Sequence, residues 1–188
     1  MAQGWIDAER AEAAEARLLG VAEELFARHG VDAVTMADIA TAARCSRATL
    51  YRYFPTRNEI LSAYIRSTTE RIFRQVMEKT AATTDANARI TEAIMLTLNL
   101  IRDDPALGPW FAIDAGLPAK LAISHTAITA ALETFLGEVV GAVPGAELSG
   151  TARWLTRTII GLIVMPEPAD TDQASYVSRY ITPILAGT

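Results

Sequence analysis

Cysteine, histidine and long apolar runs are scarce in this sequence of 188 residues. The single cysteine, Cys45, excludes an internal disulfide, and two distant histidines, His29 and His125, supply no zinc framework. The longest apolar stretch, Ile159–Met165, is far shorter than the roughly 20 residues that a bilayer requires. The first residues also lack the basic and then apolar order of a signal peptide. We therefore expect a cytoplasmic protein without a membrane partner and without a metal.

Motifs of common catalytic and nucleotide-binding sites are missing as well. The chain contains no Gly-x-x-x-x-Gly-Lys loop, no Gly-x-Gly-x-x-Gly turn and no nucleophile elbow. We expect neither a cofactor nor an enzymatic activity, although residues distant in sequence are able to assemble a catalytic set that no motif reveals.

Charge is unevenly distributed along the chain. The formal net charge of −5 opposes a nucleic-acid partner at first sight. The segment from Thr35 to Arg57, however, contains four arginines and only one acidic residue, Asp38. A locally basic segment in an acidic protein can present a phosphate-binding face. A basic run is more often only a solvated surface, so this feature needs a second observation.

Helical signals dominate the sequence, and strand-like alternation is absent over any useful length. Together with a hydrophobic content of 51%, this predicts an all-α protein with a sizeable core. Predicted helices cover residues 7–29, 36–43, 47–53, a long helix from Thr56 to a break near 81–85, then 86–102, 105–113, 119–142, 149–165 and 172–186.

Capping signals define the short helices. Thr35 followed by Asp38 is a variant of the capping box, and Thr56 with Glu59 is a full one. Ser46 is suited to accept a hydrogen bond from an exposed N–H at the start of the next helix.

The segment from about residue 35 to 54 has the layout of a helix-turn-helix. Met36–Ala43 and Arg47–Tyr53 are joined by a turn at Arg44-Cys45. The inward positions are Ile39, Ala40, Ala43, Leu50 and Phe54. The outward face of the second helix carries Arg47, Ala48, Tyr51 and Arg52. This face mixes donors with an aromatic ring and is narrow enough to enter a major groove.

These residues resemble the TetR family of bacterial repressors. The resemblance covers roughly residues 12–66 and is carried by Thr35–Ala40, Ala43, Ser46–Phe54, Arg57 and Ile60, with 22–31 fitting the family's first helix. It implies a three-helix DNA-binding domain at 1–66. It also implies a larger helical domain at 67–188 for effector binding and dimerisation.

The resemblance also implies roles for single residues. Arg47, Ala48 and Tyr51 occupy positions that approach base edges in the family. The positions that bind phosphates in the family are occupied here by Thr35, Thr49, Tyr53 and Arg57. The full set of candidate DNA-binding residues is Thr35, Arg44, Ser46, Arg47, Ala48, Thr49, Tyr51, Arg52, Tyr53 and Arg57. The alternative is that Thr49 packs, Tyr53 fills the core and Arg57 is a surface charge.

The turn departs from the family, which usually has glycine and then a branched apolar residue there. Arg44 in a left-handed conformation costs roughly 1 kcal/mol, so either the turn absorbs that strain or its geometry shifts. A contact from Arg44 to the DNA backbone is a hypothesis that would compensate for this cost. We interpret Cys45 as a small buried apolar residue and not as a redox switch, because no second cysteine can resolve it.

Two later segments, 121–142 and 149–165, are apolar on more than one face. Helices of this kind need two partners, so we expect them to form a two-fold dimer interface as well as a core. The alternative is helices fully buried within one monomer. The candidate interface residues are Ile128, Leu132, Phe135, Val139, Trp154, Thr158, Gly161 and Met165.

An effector site in this architecture would be an apolar cavity with few polar groups. The candidate residues are Met95, Leu98, Trp110, Phe111, Asp114, His125, Tyr176 and Tyr180. Each has a simpler interpretation, since aromatic residues at helical spacing are usually plain core.

The sequence therefore predicts a homodimeric, TetR-like regulator, a repressor of transcription that binds a palindromic operator and is released by a small apolar effector. Two alternatives stay open. One is a DNA-binding regulator without a small-molecule ligand, and the other is a helical carrier or enzyme whose helix-turn-helix is vestigial.

Overall fold

The computed structural model describes residues 2–111, 125–141, 145–166 and 172–186, and every regular element in those ranges is helical. This confirms the all-α prediction. The chain divides into two compact units, Met1–Tyr64 and Ile65–Thr188, and one helix contributes residues to both. The helices are α1 Ala2–His29, α2 Met36–Ala42, α3 Arg47–Tyr53, α4 Arg57–Thr80, α5 Ala86–Arg102, α6 Thr126–Val140, α7 Gly145–Val164, α8 Gln173–Tyr180 and α9 Thr182–Ala186, with a 3-10 turn at Gly108–Phe111.

The first unit has a small core to which α1, α2 and α3 all contribute buried side chains. All five predicted inward residues of the helix-turn-helix are buried. Phe26 of α1 packs edge-to-face on Tyr64, with ring centroids 5.5 Å apart. Burying a side chain such as Phe26 or Leu50 contributes about 1.5–3 kcal/mol to folding. The core therefore fixes which face of α3 is left to the solvent.

The second unit is a helical bundle with its own core. Its fully buried side chains come from six helices and include Ile90, Leu98, Leu136, Leu155 and Val177. Two ion pairs connect its helices. Arg89 of α5 pairs with Glu138 of α6, and Arg71 of α4 pairs with Asp104 after α5, each at 2.6 Å.

The predicted helix 105–113 is wrong. Residues 105–107 form a turn that leads into the 3-10 turn Gly108–Phe111, and 112 and 113 lie outside the described residues. The side chain of Asp104 accepts hydrogen bonds from the N–H groups of Ala106 and Leu107, at 2.9 and 3.0 Å. Such a side-chain turn competes with an α-helix for the same backbone donors.

Other boundaries differ by a few residues. α1 begins at Ala2 and not at residue 7, and α7 begins at Gly145, four residues before the predicted start. The predicted helix 119–142 begins at Thr126, while 119–124 lie outside the described residues.

The last predicted helix, 172–186, is interrupted at Ile181, between α8 and α9. Pro183 explains the break, because it has no N–H to donate to the carbonyl of Arg179.

Candidate functional site

The helix-turn-helix begins with a complete capping box at α2. The Thr35 hydroxyl accepts from the N–H of Asp38 at 3.3 Å, and the Asp38 carboxylate accepts from the Thr35 N–H at 2.9 Å. The Thr35 hydroxyl also donates to this carboxylate at 2.6 Å. These hydrogen bonds, that of the hydroxyl first, lower the pKa of Asp38 below its usual value. The predicted cap is confirmed.

Ser46 caps α3 as the sequence predicts. Its hydroxyl accepts from the N–H of Thr49 at 3.0 Å, and the two hydroxyl oxygens lie 2.8 Å apart. The capping residue thus fixes the first turn of the helix that carries the exposed basic face. Thr49 is half-buried beside it.

The turn between α2 and α3 has the geometry of a Schellman motif. Arg44 is left-handed, with a φ of 52°. Its N–H donates to the carbonyl of Thr41 at 3.1 Å, and the N–H of Cys45 donates to that of Ala40 at 3.0 Å. This pairing satisfies the last carbonyls of α2 and fixes the angle at which α3 leaves. Cys45 itself is half-buried.

The outward face of α3 is exposed and basic. Arg47, Ala48, Tyr51 and Arg52 are all exposed, and the Tyr51 side chain keeps 45% of its surface in contact with solvent. Within the described part of the chain, the guanidinium groups of Arg44 and Arg47 have no hydrogen bond and no ion pair. Both cations are therefore available to an anionic partner.

Arg52 and Tyr53 form a local pair at the end of α3. The Arg52 guanidinium lies 5.0 Å from the centre of the Tyr53 ring and donates to its hydroxyl at 3.3 Å. This contact orients two hydrogen-bonding side chains on the same side of the helix end.

Arg57, a candidate phosphate ligand, is engaged within the first unit. Its Nη2 donates to the carbonyl oxygen of Val31 at 2.6 Å, and its Nε donates to that of Val34 at 3.5 Å. It thus attaches the loop between α1 and α2 to the first turn of α4. The sequence analysis missed this role, because the partners are 26 residues apart and no local pattern links them.

Arg17 has a similar role that the sequence analysis also missed. Its guanidinium donates to the carbonyl of Ala43 at 3.1 Å, from α1 across to the end of α2. The two arginines act on opposite ends of α2. Together they fix the helix that precedes the exposed face of α3.

The second unit contains an apolar cavity of about 130 Å³. Its wall is formed by α4, α5, α6 and α7 together with the 3-10 turn, and three of its residues are Phe73, Phe111 and Phe135. Of the described residues that line it, nearly all are hydrophobic, and the remainder are threonines. A cavity of this kind suits a small apolar ligand.

One candidate effector residue, Phe111, lies in the wall of this cavity. Leu98 is fully buried in the core and Met95 is half-buried, but neither lines the cavity. The rings of Tyr176 and Tyr180 contact each other on α8, with centroids 5.2 Å apart.

The other three effector candidates lie near the part of the chain that is not described. His125 caps α6, and its Nδ1 accepts from the N–H of Ala127 at 3.3 Å. Trp110 belongs to the 3-10 turn, and Asp114 lies outside the described residues.

The candidate interface residues separate into two groups. Ile128, Leu132 and Phe135 line the cavity. Trp154 of α7 and Met165, the residue after α7, differ from these, since they are 37% and 73% exposed. The remaining three are partly exposed: Val139, Thr158 and Gly161.

The described residues form neither a metal-binding cluster nor a membrane span. No three His, Cys, Asp or Glu side chains among them are grouped so that they could hold a metal ion. None of the described helices combines the length and the apolarity that crossing a membrane requires.

Comparison with known proteins finds similarity to bacterial regulatory proteins. Residues 18–64 match the family described as "Bacterial regulatory proteins, tetR family". An uncharacterized HTH-type transcriptional regulator of Mycobacterium tuberculosis is 33% identical over 181 residues, which cover 96% of this chain and 90% of that protein.

Two solved structures share the fold over nearly the whole chain. The TetR family repressor AlkX from Dietzia sp., implicated in biodegradation of n-alkanes, has a TM-score of 0.68 and 26% identity, covering 93% of this chain and 96% of that one. RolR in complex with resorcinol has a TM-score of 0.71 and 21% identity, covering 96% and 89%.

Proposed function

We propose that this chain, which belongs to the tetR family of bacterial regulatory proteins, is a transcriptional repressor that binds a palindromic operator as a homodimer. In this proposal a small apolar effector binds the second unit and releases the DNA. The protein acts by binding, not by catalysis, in the cytoplasm. Residues 1–66 form the DNA-binding domain, and residues 67–188 bind the effector and dimerise.

The observation that carries this proposal is the exposed face of α3. Arg47 stands free on that face, and a guanidinium is suited to a bidentate contact with guanine in the major groove. Ala48 and Tyr51 lie beside it and would contact base edges. Capped by Ser46 and fixed by the Arg44 turn, α3 presents these side chains in one orientation.

Phosphate contacts would surround this face. Thr35, Ser46 and Thr49 have hydroxyl groups at the starts of α2 and α3, where unpaired N–H groups also attract anions. Arg44, Arg52 and Tyr53 would add donors on either side. We assign Arg57 mainly to the loop that it holds, because its guanidinium already donates to two backbone carbonyls.

The proposed dimer interface is the exposed apolar face of α7. Trp154, Thr158 and Gly161 follow the i, i+4 and i+7 spacing of one face of α7. Met165 directly follows the helix, and its N–H donates to the carbonyl of Gly161 at 2.8 Å, which places it next to this face. Val139 of α6 would extend it. We assign Ile128, Leu132 and Phe135 to the cavity instead, since each lines it within a single chain.

The proposed effector response is supported by the cavity of the second unit and by α4. Helix α4 runs from Arg57 to Thr80 without interruption, and its residues Ile72 and Val76 line the cavity. RolR was crystallised with resorcinol, a small ring compound. A ligand that binds one arrangement of the two units better than the other would shift DNA affinity by that difference.

The test is selection of random duplex DNA on the purified protein, followed by anisotropy titration. We expect enrichment of a palindrome, and Arg47→Ala to weaken binding by about 1–3 kcal/mol while discriminating less between base pairs. Arg74→Ala removes the same charge from an exposed position of α4 in the second unit and is the matched control. Recovery of no shared sequence would contradict the proposal.

A further inference from the structure

The space inside the cavity of the second unit is small. Its volume of about 130 Å³ is close to that of the ~150 Å³ apolar cavity that binds benzene in an engineered protein. Phe73, Phe111 and Phe135 supply flat aromatic walls, and branched aliphatic side chains supply most of the rest. The space therefore fits a molecule about as large as one six-membered ring with a short substituent.

Among the described residues, the polar side chains in the cavity wall are three threonines, Thr69, Thr97 and Thr156. Each hydroxyl donates its one hydrogen to the carbonyl four residues earlier in its own helix, which leaves only oxygen lone pairs for a ligand. The acceptors are, in the same order, Ile65, Ala93 and Ala152, at 2.7, 2.8 and 2.9 Å. These threonines can thus accept a hydrogen bond from a ligand without losing one of their own.

Charged ligands find no partner in the described wall. Among the described residues, no charged side chain lines the cavity. Arg89 lies behind the wall, with its guanidinium 5.8 Å from the centre of the Phe135 ring, but it is already paired with Glu138 at 2.6 Å. An isolated charge moved into such surroundings loses its hydration without compensation.

We infer that the effector is a neutral, ring-sized hydrocarbon, or such a hydrocarbon with a hydroxyl group as its only polar substituent, and that anions and cations of the same size are rejected. The hydroxyl would donate to a threonine oxygen of the wall. This inference rests on the proposed function, because it specifies the effector of the proposed repressor.

The first test measures binding to the full-length protein by calorimetry, without DNA. The probes are toluene, benzyl alcohol, its isomer anisole, and benzoate. We expect toluene and benzyl alcohol to bind, and benzoate to bind roughly a hundredfold or more weaker than toluene. Equal binding of benzoate and toluene, or no binding of any neutral probe at millimolar concentration, would overturn the inference.

The cavity itself is tested by filling it. Ala131 lines the cavity on α6, whereas its neighbour Ala130 is exposed. We expect Ala131→Phe to abolish toluene binding and Ala130→Phe to leave it within a factor of about two. Toluene binding that survives Ala131→Phe would place the ligand elsewhere and overturn the inference.

The role of the threonines is tested with paired variants. Thr156→Val removes the hydroxyl oxygen and its lone pairs, so it should weaken the binding of benzyl alcohol roughly two- to tenfold and leave the binding of toluene and anisole unchanged. Thr156→Ser keeps a hydroxyl and should restore the binding of benzyl alcohol. Thr97→Val and Thr97→Ser give the same comparison at a less buried position. If no valine variant separates benzyl alcohol from anisole, the hydroxyl part of the inference is wrong.

The binding test separates this inference from the proposed function. If the neutral probes bind in the expected order but leave the operator complex intact, the ligand class stands and the proposed release of DNA fails. If benzoate binds as tightly as toluene, the ligand class fails whatever happens to the operator complex.

Discussion

The guanidinium of Arg57 donates a 2.6 Å hydrogen bond to the carbonyl oxygen of Val31, across 26 residues of sequence. A second donation, to Val34, is longer at 3.5 Å. Arg57 is the first residue of α4, and Val31 and Val34 are buried residues of the loop between α1 and α2. One side chain thus fixes that loop to the start of the helix shared by both units.

This relationship predicts a structural effect for Arg57. We expect Arg57→Ala to lower the free energy of unfolding by about 1.5–3 kcal/mol, because hydrogen bonds from a charged donor are lost and a backbone acceptor is left unpaired. Arg57→Lys should recover part of this, since lysine is charged but lacks the planar fork. Urea unfolding followed by circular dichroism measures both variants.

The salt dependence of operator binding separates this role from a phosphate contact. Each phosphate contact that is lost lowers the slope of log K against log salt by about 0.9. We expect Arg57→Ala, measured at a temperature at which it is folded, to keep the wild-type slope. A slope reduced by a whole contact, with unchanged stability, would show that Arg57 binds DNA directly.

Arg44 offers a test of backbone strain in the turn. Its φ of 52° is the left-handed conformation that glycine adopts without strain. We expect Arg44→Gly to raise the free energy of unfolding by up to about 1 kcal/mol, as measured by urea unfolding. Arg44→Ala keeps the strain while removing the charge, so its stability should stay close to that of the wild type.

The same two variants test a contact between Arg44 and DNA. If the exposed guanidinium binds a phosphate, both variants should show a slope of log K against log salt that is smaller by about 0.9. An unchanged slope in both would restrict Arg44 to its structural position in the turn.

The part of this structure that the sequence predicts is the part encoded by neighbouring residues. The caps at Thr35 and Ser46 and the buried positions of α2 and α3 follow from spacings of three or four residues, and all are found. The contacts of Arg57 and Arg17 could not be predicted, because each joins residues 26 apart.

The cavity shows a second limit of sequence analysis. The spacing of Ile128, Leu132 and Phe135 indicates one apolar face of a helix, but the same spacing suits a dimer interface and the wall of a cavity. The choice depends on what the neighbouring helices leave unfilled, and here the three residues line the cavity.

Asp38 makes the stability of the first unit dependent on pH. Its pKa is lowered because the Thr35 hydroxyl, and then the Thr35 N–H, donate hydrogen bonds to the carboxylate. A lowered pKa in the folded state stabilises the protein above the unfolded pKa of about 4, and this stabilisation is lost as the pH falls through the lowered value. We expect Asp38→Asn to be less stable than the wild type at pH 7, and the difference to narrow below about pH 4.

Urea unfolding at a series of pH values tests this, and Asp172→Asn is the matched control. The pKa of Asp172 is lowered in the same direction, by the hydroxyl of Ser175 first, but Asp172 caps α8 in the second unit. Both variants should lose the part of the free energy of unfolding that depends on the ionised carboxylate. Only Asp38→Asn should weaken operator binding. A constant difference between Asp38→Asn and the wild type down to pH 3 would contradict the assignment.

The exposed apolar face of α7 leads to a prediction about assembly. Trp154 and Met165 are 37% and 73% exposed, and large apolar side chains on one helical face favour burial against a second copy. We expect Trp154→Glu to shift the protein from dimer to monomer in sedimentation velocity, because an unpaired charge would be buried at the interface. Operator affinity should fall with it, since two half-sites would no longer be bound together.

Ile184→Glu provides the control for this experiment. Ile184 is 62% exposed in the second unit but lies on α9, outside the proposed interface. Ile184→Glu introduces the same negative charge in place of another exposed apolar side chain. A general effect of charge or solubility on assembly would therefore appear in both variants. If Trp154→Glu stays dimeric, or if Ile184→Glu becomes monomeric, the dimer interface does not lie on α7. A different surface would then have to join the two copies that bind the half-sites.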